Sequence, residues 1–326
     1  MLRVRRSTDA APSGLRERAL ARLCAGLLAI ASTLSPAVGA QAWVPERGKG
    51  SVSVTYQHNQ STRLTNANGD AVRFGKVIDR GLDLSVDYGL SDRWALSADM
   101  PYKSNRYTGD DPHDPATQLP FANNQRFIDD GQYHSGWADW SVALRYQLRS
   151  KPFLVTPFIA YSRPSHDYTF WAHSALGNQQ RSWQAGVNLG GWLPPPWQQL
   201  YWQAGYAYLL MERVSDRRVN RGVLSAQLGC ALTPRLGAQL RIEHQNSFGA
   251  TIDLPKDFLN PDGSLNPGNL LYHDQLAASR FTRASVGMSY QLSERYQLSA
   301  AYARTIRAAN AHIWDHQLSI GISRSF

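Results

Sequence analysis

His244 and Ser247 are the first residues whose types could do chemistry. A serine hydroxyl becomes a nucleophile when an imidazole within hydrogen-bond reach takes its proton. The run Glu243-His244-Gln245-Asn246-Ser247-Phe248-Gly249 holds both groups beside a carboxylate. Its spacing argues against that use. The residue two after His244 is Asn246, and on an extended strand Ser247 points to the opposite face. His58 has the same defect, with Gln60 two residues on. Six of the nine histidines fall in longer polar stretches: His113, His134, His166, His173, His273 and His312. His312 and His316 are four apart and could share a strand face, yet no Cys or carboxylate completes a metal-ligand spacing. Asp110, Asp111 and Asp114 could take a divalent ion, but such a cluster reads first as a solvated loop. No glycine-rich phosphate loop follows a strand and opens a helix. The expectation is no catalytic residue, no metal ligand set and no cofactor.

A second constellation is dispersed. Asp83, Asp87, Asp99, Asp139, Arg145, Arg241, Glu243 and Arg283 each fall on the polar side of a segment in which apolar and polar residues alternate. Period-2 alternation is the signature of a strand with two different faces. Such strands are what must position these charges.

From Gly50 onward the alternation recurs twelve times. Val52, Val54 and Tyr56 oppose Ser53, Thr55 and Gln57; Leu82, Leu84, Val86 and Tyr88 oppose Gly81, Asp83, Ser85 and Asp87. Further strands are expected near residues 93–103, 139–148, 153–163, 181–192, 200–212, 222–232, 236–245, 282–292, 296–306 and 314–326. Connections after even strands are short, as at 89–92, 149–152, 193–199, 233–235 and 293–295. Those after odd strands are mostly longer: 61–76, 104–135, 164–180, 213–221, 247–281 and 307–313. Short turns on one rim and long loops on the other is the layout of an outer-membrane barrel. The expected fold is therefore all-β: a transmembrane antiparallel barrel of about twelve strands, with short periplasmic turns and long extracellular loops.

The composition agrees. The chain of 326 residues is 43% hydrophobic but only 18% charged, with 10 Trp, 15 Tyr and 10 Phe. Its mean hydropathy of −0.41 excludes a multi-helix membrane protein. The aromatic content argues against disorder. In a soluble sandwich the apolar face would be a core and the other face would carry Lys and Glu. Here the polar face is Gly, Ser, Gln and Asn, with sparse opposed charges. The apolar face places Trp94, Tyr102, Tyr146, Trp183 and Tyr296 near strand ends, as interfacial girdles require. Phe326 ends an amphipathic final strand and resembles the insertion signal of outer-membrane barrels. Arg324 departs from that pattern, standing where another apolar residue is usual.

The first 40 residues read as a leader. An Arg-rich start is followed by the apolar Leu23–Leu34 and by small residues up to Ala40 and Ala42. This is a secretory signal over 1–42, cleaved after Ala40 or Ala42, ahead of a single barrel domain over 43–326. The leader carries six Arg against two acids, so removing it lowers the net charge from +9 to +5. The basic balance is thus weak support for a nucleic-acid partner. Cys24 lies in the leader, which leaves Cys230 alone and excludes an internal disulfide.

Charges on a barrel interior must pair or meet water. The eight named above are expected to line the lumen, chiefly as cross-strand pairs that stiffen the wall. The sharper alternative is a charged constriction that selects solutes. Expected partners are outer-membrane lipid and lipopolysaccharide, the barrel-assembly machinery and a small-molecule solute. The loops 104–135 and 247–281 are long enough to fold inward.

Two resemblances bear on function. The His244 run invites comparison with the outer-membrane phospholipase family, whose His and Ser lie two residues apart on one strand face; Asn246 breaks that match. Other segments resemble the outer-membrane barrel family named for the meta-pathway of phenol degradation. They are Trp43-Val44-Pro45 with Gly48-Lys49-Gly50-Ser51, Asp87-Tyr88-Gly89-Leu90-Ser91-Asp92-Arg93-Trp94, Asp99-Met100-Pro101-Tyr102 and Asp129-Asp130-Gly131. Arg145-Tyr146, Thr156-Pro157-Phe158, Pro164-Ser165-His166-Asp167-Tyr168 and Asn310-Ala311-His312 continue it. The resemblance implies a transporter for aromatic or other hydrophobic small molecules, with no catalytic residues. The expected function is a passive outer-membrane channel. The alternatives are a lipid hydrolase using His244 and a structural or adhesive barrel with a closed lumen.

Overall fold

The computed structural model describes residues 41–119 and 124–326. Residues 1–40 of the expected leader lie outside the described residues. Fourteen strands are described: β1 (Gly50–Thr65), β2 (Ala71–Gly89), β3 (Trp94–Thr108), β4 (His134–Trp137), β5 (Asp139–Tyr146), β6 (Leu154–Pro164) and β7 (Ser182–Trp192). Then follow β8 (Leu200–Met211), β9 (Val219–Ala231), β10 (Leu236–Gly249), β11 (Arg280–Gln291), β12 (Tyr296–Ala309), β13 (His312–Ile313) and β14 (His316–Ser325). β4 and β5 pair with β3 in succession, and β13 and β14 pair with β1 in succession. Each couple is one barrel strand interrupted by an irregular residue or two, so the barrel has twelve. It closes where β1 pairs antiparallel with both β2 and β14. Closure leaves no strand edge for lipid to satisfy.

The alternation read from the sequence sets the two faces. Val52, Val54, Leu82, Leu84, Leu96, Leu224, Ile242, Ile320 and Ile322 stand exposed on the outer surface. Asn59, Asn188, Thr156, Gln317 and Ser319 are buried on the inner one. Two aromatic belts bound the outer apolar band. Trp94 and Tyr146 pack at 4.6 Å beside the short turns. Tyr102 with Trp137, and Tyr161 with Trp183, pack at 5.3 and 4.7 Å farther along the strands. Trp94 and Tyr102 are eight residues apart on β3, roughly 26 Å of strand at ~3.3 Å per residue. At the tilt of about 40° usual for such barrels the run rises about 20 Å, which places the two residues near the borders of an outer-membrane apolar band.

Three short turns share one chemistry. Leu90-Ser91-Asp92-Arg93-Trp94, Leu232-Thr233-Pro234-Arg235-Leu236 and Leu292-Ser293-Glu294-Arg295-Tyr296 each use the Ser or Thr hydroxyl as an acceptor. It takes the N–H of the residue three on, at 3.1, 3.0 and 3.3 Å. This local bond lets a turn form before its strands pair. Within the lumen, Phe158 lies over Gly186, where a Cβ would stand 2.6 Å from the ring.

Strand ends differ from the sequence reading at the long-loop rim. The expected loop 61–76 is mostly strand, because Arg63, Leu64 and Thr65 pair with Arg73, Val72 and Ala71. The turn itself is only Asn66–Asp70. The Asn66 side chain accepts two backbone N–H groups there, and Gly69 supplies a positive φ of 90°. β2 has 19 residues, about twice what a membrane crossing needs. Its outer half therefore stands clear of the apolar band. The longer loops carry three short helices, α1 (Pro115–Gln118), α2 (Pro267–Leu271) and α3 (His273–Leu276).

Candidate functional site

All eight charged residues singled out in the sequence lie on the lumen face, in two groups on opposite walls. On the β2–β3–β5 wall, Arg145 ion-pairs with Asp87 across β3. Ser97 on β3 also donates to Asp87, at 3.0 Å. Asp83 and Asp99 stand two residues apart in the β2–β3 register, with Asp99 opposite Ser85. Asp139 accepts the Tyr168 hydroxyl. On the β10–β11 wall, Arg241 donates to Glu243 at 3.1 Å, and Glu243 is the register partner of Arg283. The Arg283 guanidinium lies 3.3 Å from the Trp314 ring centroid and 3.8 Å from that of Phe281. Four of the eight form two ion pairs along the wall, Arg145 with Asp87 and Arg241 with Glu243, and no single ring joins all eight.

The short-turn end of the lumen holds residues 41–43. Ala42 is fully buried. Its N–H donates to Gln203 Oε1 at 2.9 Å, and its carbonyl accepts the Thr156 hydroxyl at 2.6 Å. Arg145 donates to the Trp43 carbonyl at 2.9 Å. Trp43 meets Tyr201 edge to face. The segment is thus held by lumen-facing residues of β5, β6 and β8. Next to it, a cavity of about 260 Å³ is bordered by Tyr201, Gln239, Ser289, Gln291 and Gln297.

The long-loop end is capped. The loops 109–133, 165–181 and 250–279 pack together around Leu119, Tyr168, Phe170, Trp171 and Leu176, with Leu270 and Tyr272 against them. The Trp171 indole N–H donates to the Leu270 carbonyl at 3.2 Å. Lumen-wall residues hold this cap from below. Asn105 donates to the Ala175 carbonyl at 2.7 Å, and Arg221 to the Asp274 carbonyl at 3.3 Å. The two loops long enough to fold inward are joined in this cap by a third, 165–181, which contributes the largest fully buried side chain, Trp171.

Beside this apolar cluster, His113, His173, His273 and His312 meet. His113 and His173 ring centroids are 4.1 Å apart, His113 and His273 5.5 Å, His173 and His312 6.2 Å. Asp129 accepts the backbone N–H groups of His113, His173 and Ser174 at 3.0, 3.0 and 2.9 Å. Burial works against its charge, but these donors and the His113 ring hold its carboxyl well below the usual carboxylate range. Burial lowers the His173 imidazole, helped by repulsion from His113. Asp274, despite burial, is held down to about 2 by the surrounding histidines. The ligand atoms of His113, Asp129 and His173 all lie within 4.8 Å of one another. The sequence reading assigned no metal ligands, because these three come from two loops and are 16 and 44 residues apart.

The other candidates are placed elsewhere. His244 faces outward and bonds Thr282 at 2.9 Å, whereas Ser247 faces inward and bonds Ser279. The two cannot act as base and nucleophile. Asp114 caps α1 by accepting the Ala116 N–H at 3.0 Å. Phe326 stacks on Tyr88 at 6.3 Å, and its N–H and carbonyl both bond Gly50 where the barrel closes.

No protein-family model matches the chain, and no curated protein matches it in sequence. Solved structures do. The chain is similar to the COG4313 outer membrane channel from Pseudomonas putida F1, with a TM-score of 0.63 and 15% identity over 90% of this chain and all of that one. It is more distantly similar to the KdgM porin, at a TM-score of 0.45 and 9% identity over 84% of this chain and 99% of that one. A closed barrel with an apolar belt and a polar lumen, shared with such neighbours, is an outer-membrane β-barrel. The closed barrel with its outward apolar band resides in the outer membrane, and the COG4313 protein that it resembles in fold is described as an outer membrane channel.

Proposed function

We propose that this barrel is a passive channel for small solutes, narrowed by its own loops and by residues 41–43. The observation that carries this reading is the lumen itself. Its wall is built of small and polar side chains with two ion pairs, and its two ends are occupied by loops and by residues 41–43 rather than by wall residues alone. The cap is docked on Asn105, Asp139 and Arg221, and residues 41–43 on Arg145, Thr156 and Gln203. A filled barrel serving only as a scaffold would need no such latches.

The apolar underside of the cap bears on the solute. Phe170 and Trp171 are buried inside the cap with Leu270 and Tyr272 against them, so an aromatic or hydrophobic solute would meet this cluster where the loops part. The COG4313 protein is described as an outer membrane channel, and the phenol meta-pathway resemblance points to aromatic cargo. We assign the chain to that class of transporter. Passage requires no covalent chemistry, and the opposed directions of His244 and Ser247 remove the hydrolase alternative's machinery.

The test is solute flux into liposomes containing the refolded mature protein, comparing small sugars, amino acids and phenolic compounds. Phenolics are expected to enter fastest. Equal passage of all three classes would reduce the reading to a general sieve. No passage by any class through a folded barrel would overturn it.

A further inference from the structure

We propose that the cap contains a binding site for a divalent first-row transition metal ion, with His113, Asp129 and His173 as its ligands. Three observations converge on it. The donor atoms of the three side chains lie within 4.8 Å of one another, and His113 Nδ1 is 3.5 Å from Asp129 Oδ2. Two ligands about 2.0–2.1 Å from a tetrahedral ion stand roughly 3.4 Å apart, so this edge already has coordination length.

Secondly, His113 Nδ1 is buried and its facing acceptor, Asp129 Oδ2 at 3.5 Å, lies beyond ordinary hydrogen-bond length. A neutral imidazole nitrogen and a carboxylate oxygen facing each other both present lone pairs. That arrangement is unfavourable unless a cation or a proton stands between them. Thirdly, the carboxylate is preset. Its three backbone N–H donors come from both loops, so Asp129 keeps its position whether or not an ion is present. A ligand fixed by outer contacts loses little freedom on binding.

The donor set selects the ion. Two imidazoles and one carboxylate suit Zn²⁺, Ni²⁺ or Cu²⁺, whereas Ca²⁺ and Mg²⁺ prefer all-oxygen shells. His273 is stacked beside His113 and is the nearest further imidazole. Its Nδ1 lies 2.7 Å from the Leu270 carbonyl and its Nε2 3.5 Å from Asp274 Oδ1, so both nitrogens are engaged elsewhere and water is left to complete the shell. The site would fasten the loop after β3 to the loop after β6, next to the latch at Ala175. A rival account gives Asp129 only the role of a backbone staple. It predicts no ion binding, so the two separate cleanly.

The experiment is calorimetric titration of chelator-stripped, refolded mature barrel in detergent with Zn²⁺ alone. One ion per barrel is expected. The pair His113→Ala/His173→Ala should weaken binding by about 100-fold or more, as expected for losing two ligands. His58→Asn/His316→Asn, on the outer face, should leave it unchanged. Asp129→Asn keeps one oxygen for the His113 and His173 N–H groups, which both bond Oδ2, and should lose affinity, with limited proteolysis checking that the loops stay docked. Co²⁺ absorption of the wild type gives a second readout that needs no variant. Imidazole-ligated low-coordinate bands are expected. Absence of saturable Zn²⁺ binding, full affinity in the folded double variant, or only the spectrum of hydrated Co²⁺ would each overturn the proposal. None of these readouts depends on solute flux, so failure of the channel reading would be distinguishable.

Discussion

Arg145 on β5 holds Asp87 on β2 across the intervening strand, and the same guanidinium donates to the Trp43 carbonyl. One side chain therefore ties two wall strands together and fixes the segment lying in the lumen. It is almost fully buried. Removing one member of a buried pair strands the other, at a cost of about 3–5 kcal/mol. Arg145→Gln should lower the denaturant midpoint of the refolded barrel accordingly. It should also raise flux, because residues 41–43 lose a latch. Unchanged flux together with unchanged stability would show that the pair is incidental.

The opposite wall should govern ion preference. Glu243 stands between Arg241 and Arg283, bonding the first and facing the second in register. Glu243→Gln leaves two positive groups without their counter-charge and should move the reversal potential in a salt gradient toward anions. Arg283→Gln should move it toward cations. Planar-bilayer recordings of the two variants check both signs. Shifts in the same direction would mean that these residues do not face the conducting path.

The period-2 pattern made the barrel legible because lipid outside and water inside decide every second side chain. Val52 and Ser53 already carry that decision as a pair. Beyond the apolar band the contrast disappears. That is why Arg63–Thr65 and Ala71–Arg73 read as loop although they pair as strand. The lumen charges were legible as inward residues, since facing depends only on local alternation. Their partners were not: Asp87 meets Arg145 from 58 positions away through strand register. The histidine cluster was least legible, because His113, His173, His273 and His312 come together only through the docking of four separate loops. The one available signal was that six of nine histidines fell in loops.

The cap should loosen when its central aromatic is cut back. Trp171 is buried among Leu119, Phe170 and Leu176, and its indole N–H bonds the Leu270 carbonyl. Trp171→Ala should cost about 3–5 kcal/mol of local stability. The strands bury their own contacts independently, so the barrel should still form. The expected result is rapid protease cleavage within 109–133 or 250–279, with unchanged heat-modifiable migration and increased flux. Loss of the folded barrel in this variant would show instead that the cap is needed for assembly.

Signal cleavage should fall after Ala40, leaving Gln41 as the first residue. Both backbone polar groups of Ala42 are satisfied by lumen side chains, Gln203 and Thr156, and the residue is fully buried. Cleavage after Ala42 would discard both bonds and leave the Gln203 and Thr156 groups without these partners inside the lumen. The intact mass of protein extracted from outer membranes distinguishes the two sites directly. The same geometry predicts a phenotype. A Cβ at Gly190 would stand 2.8 Å from the Ala42 Cβ, so Gly190→Val should push the start segment out of its seat. If that segment narrows the lumen, Gly190→Val and a variant lacking Gln41 and Ala42 should raise flux to a similar extent, and combining them should add little. A mature chain beginning at Trp43, or additive effects in the combined variant, would refute the latch.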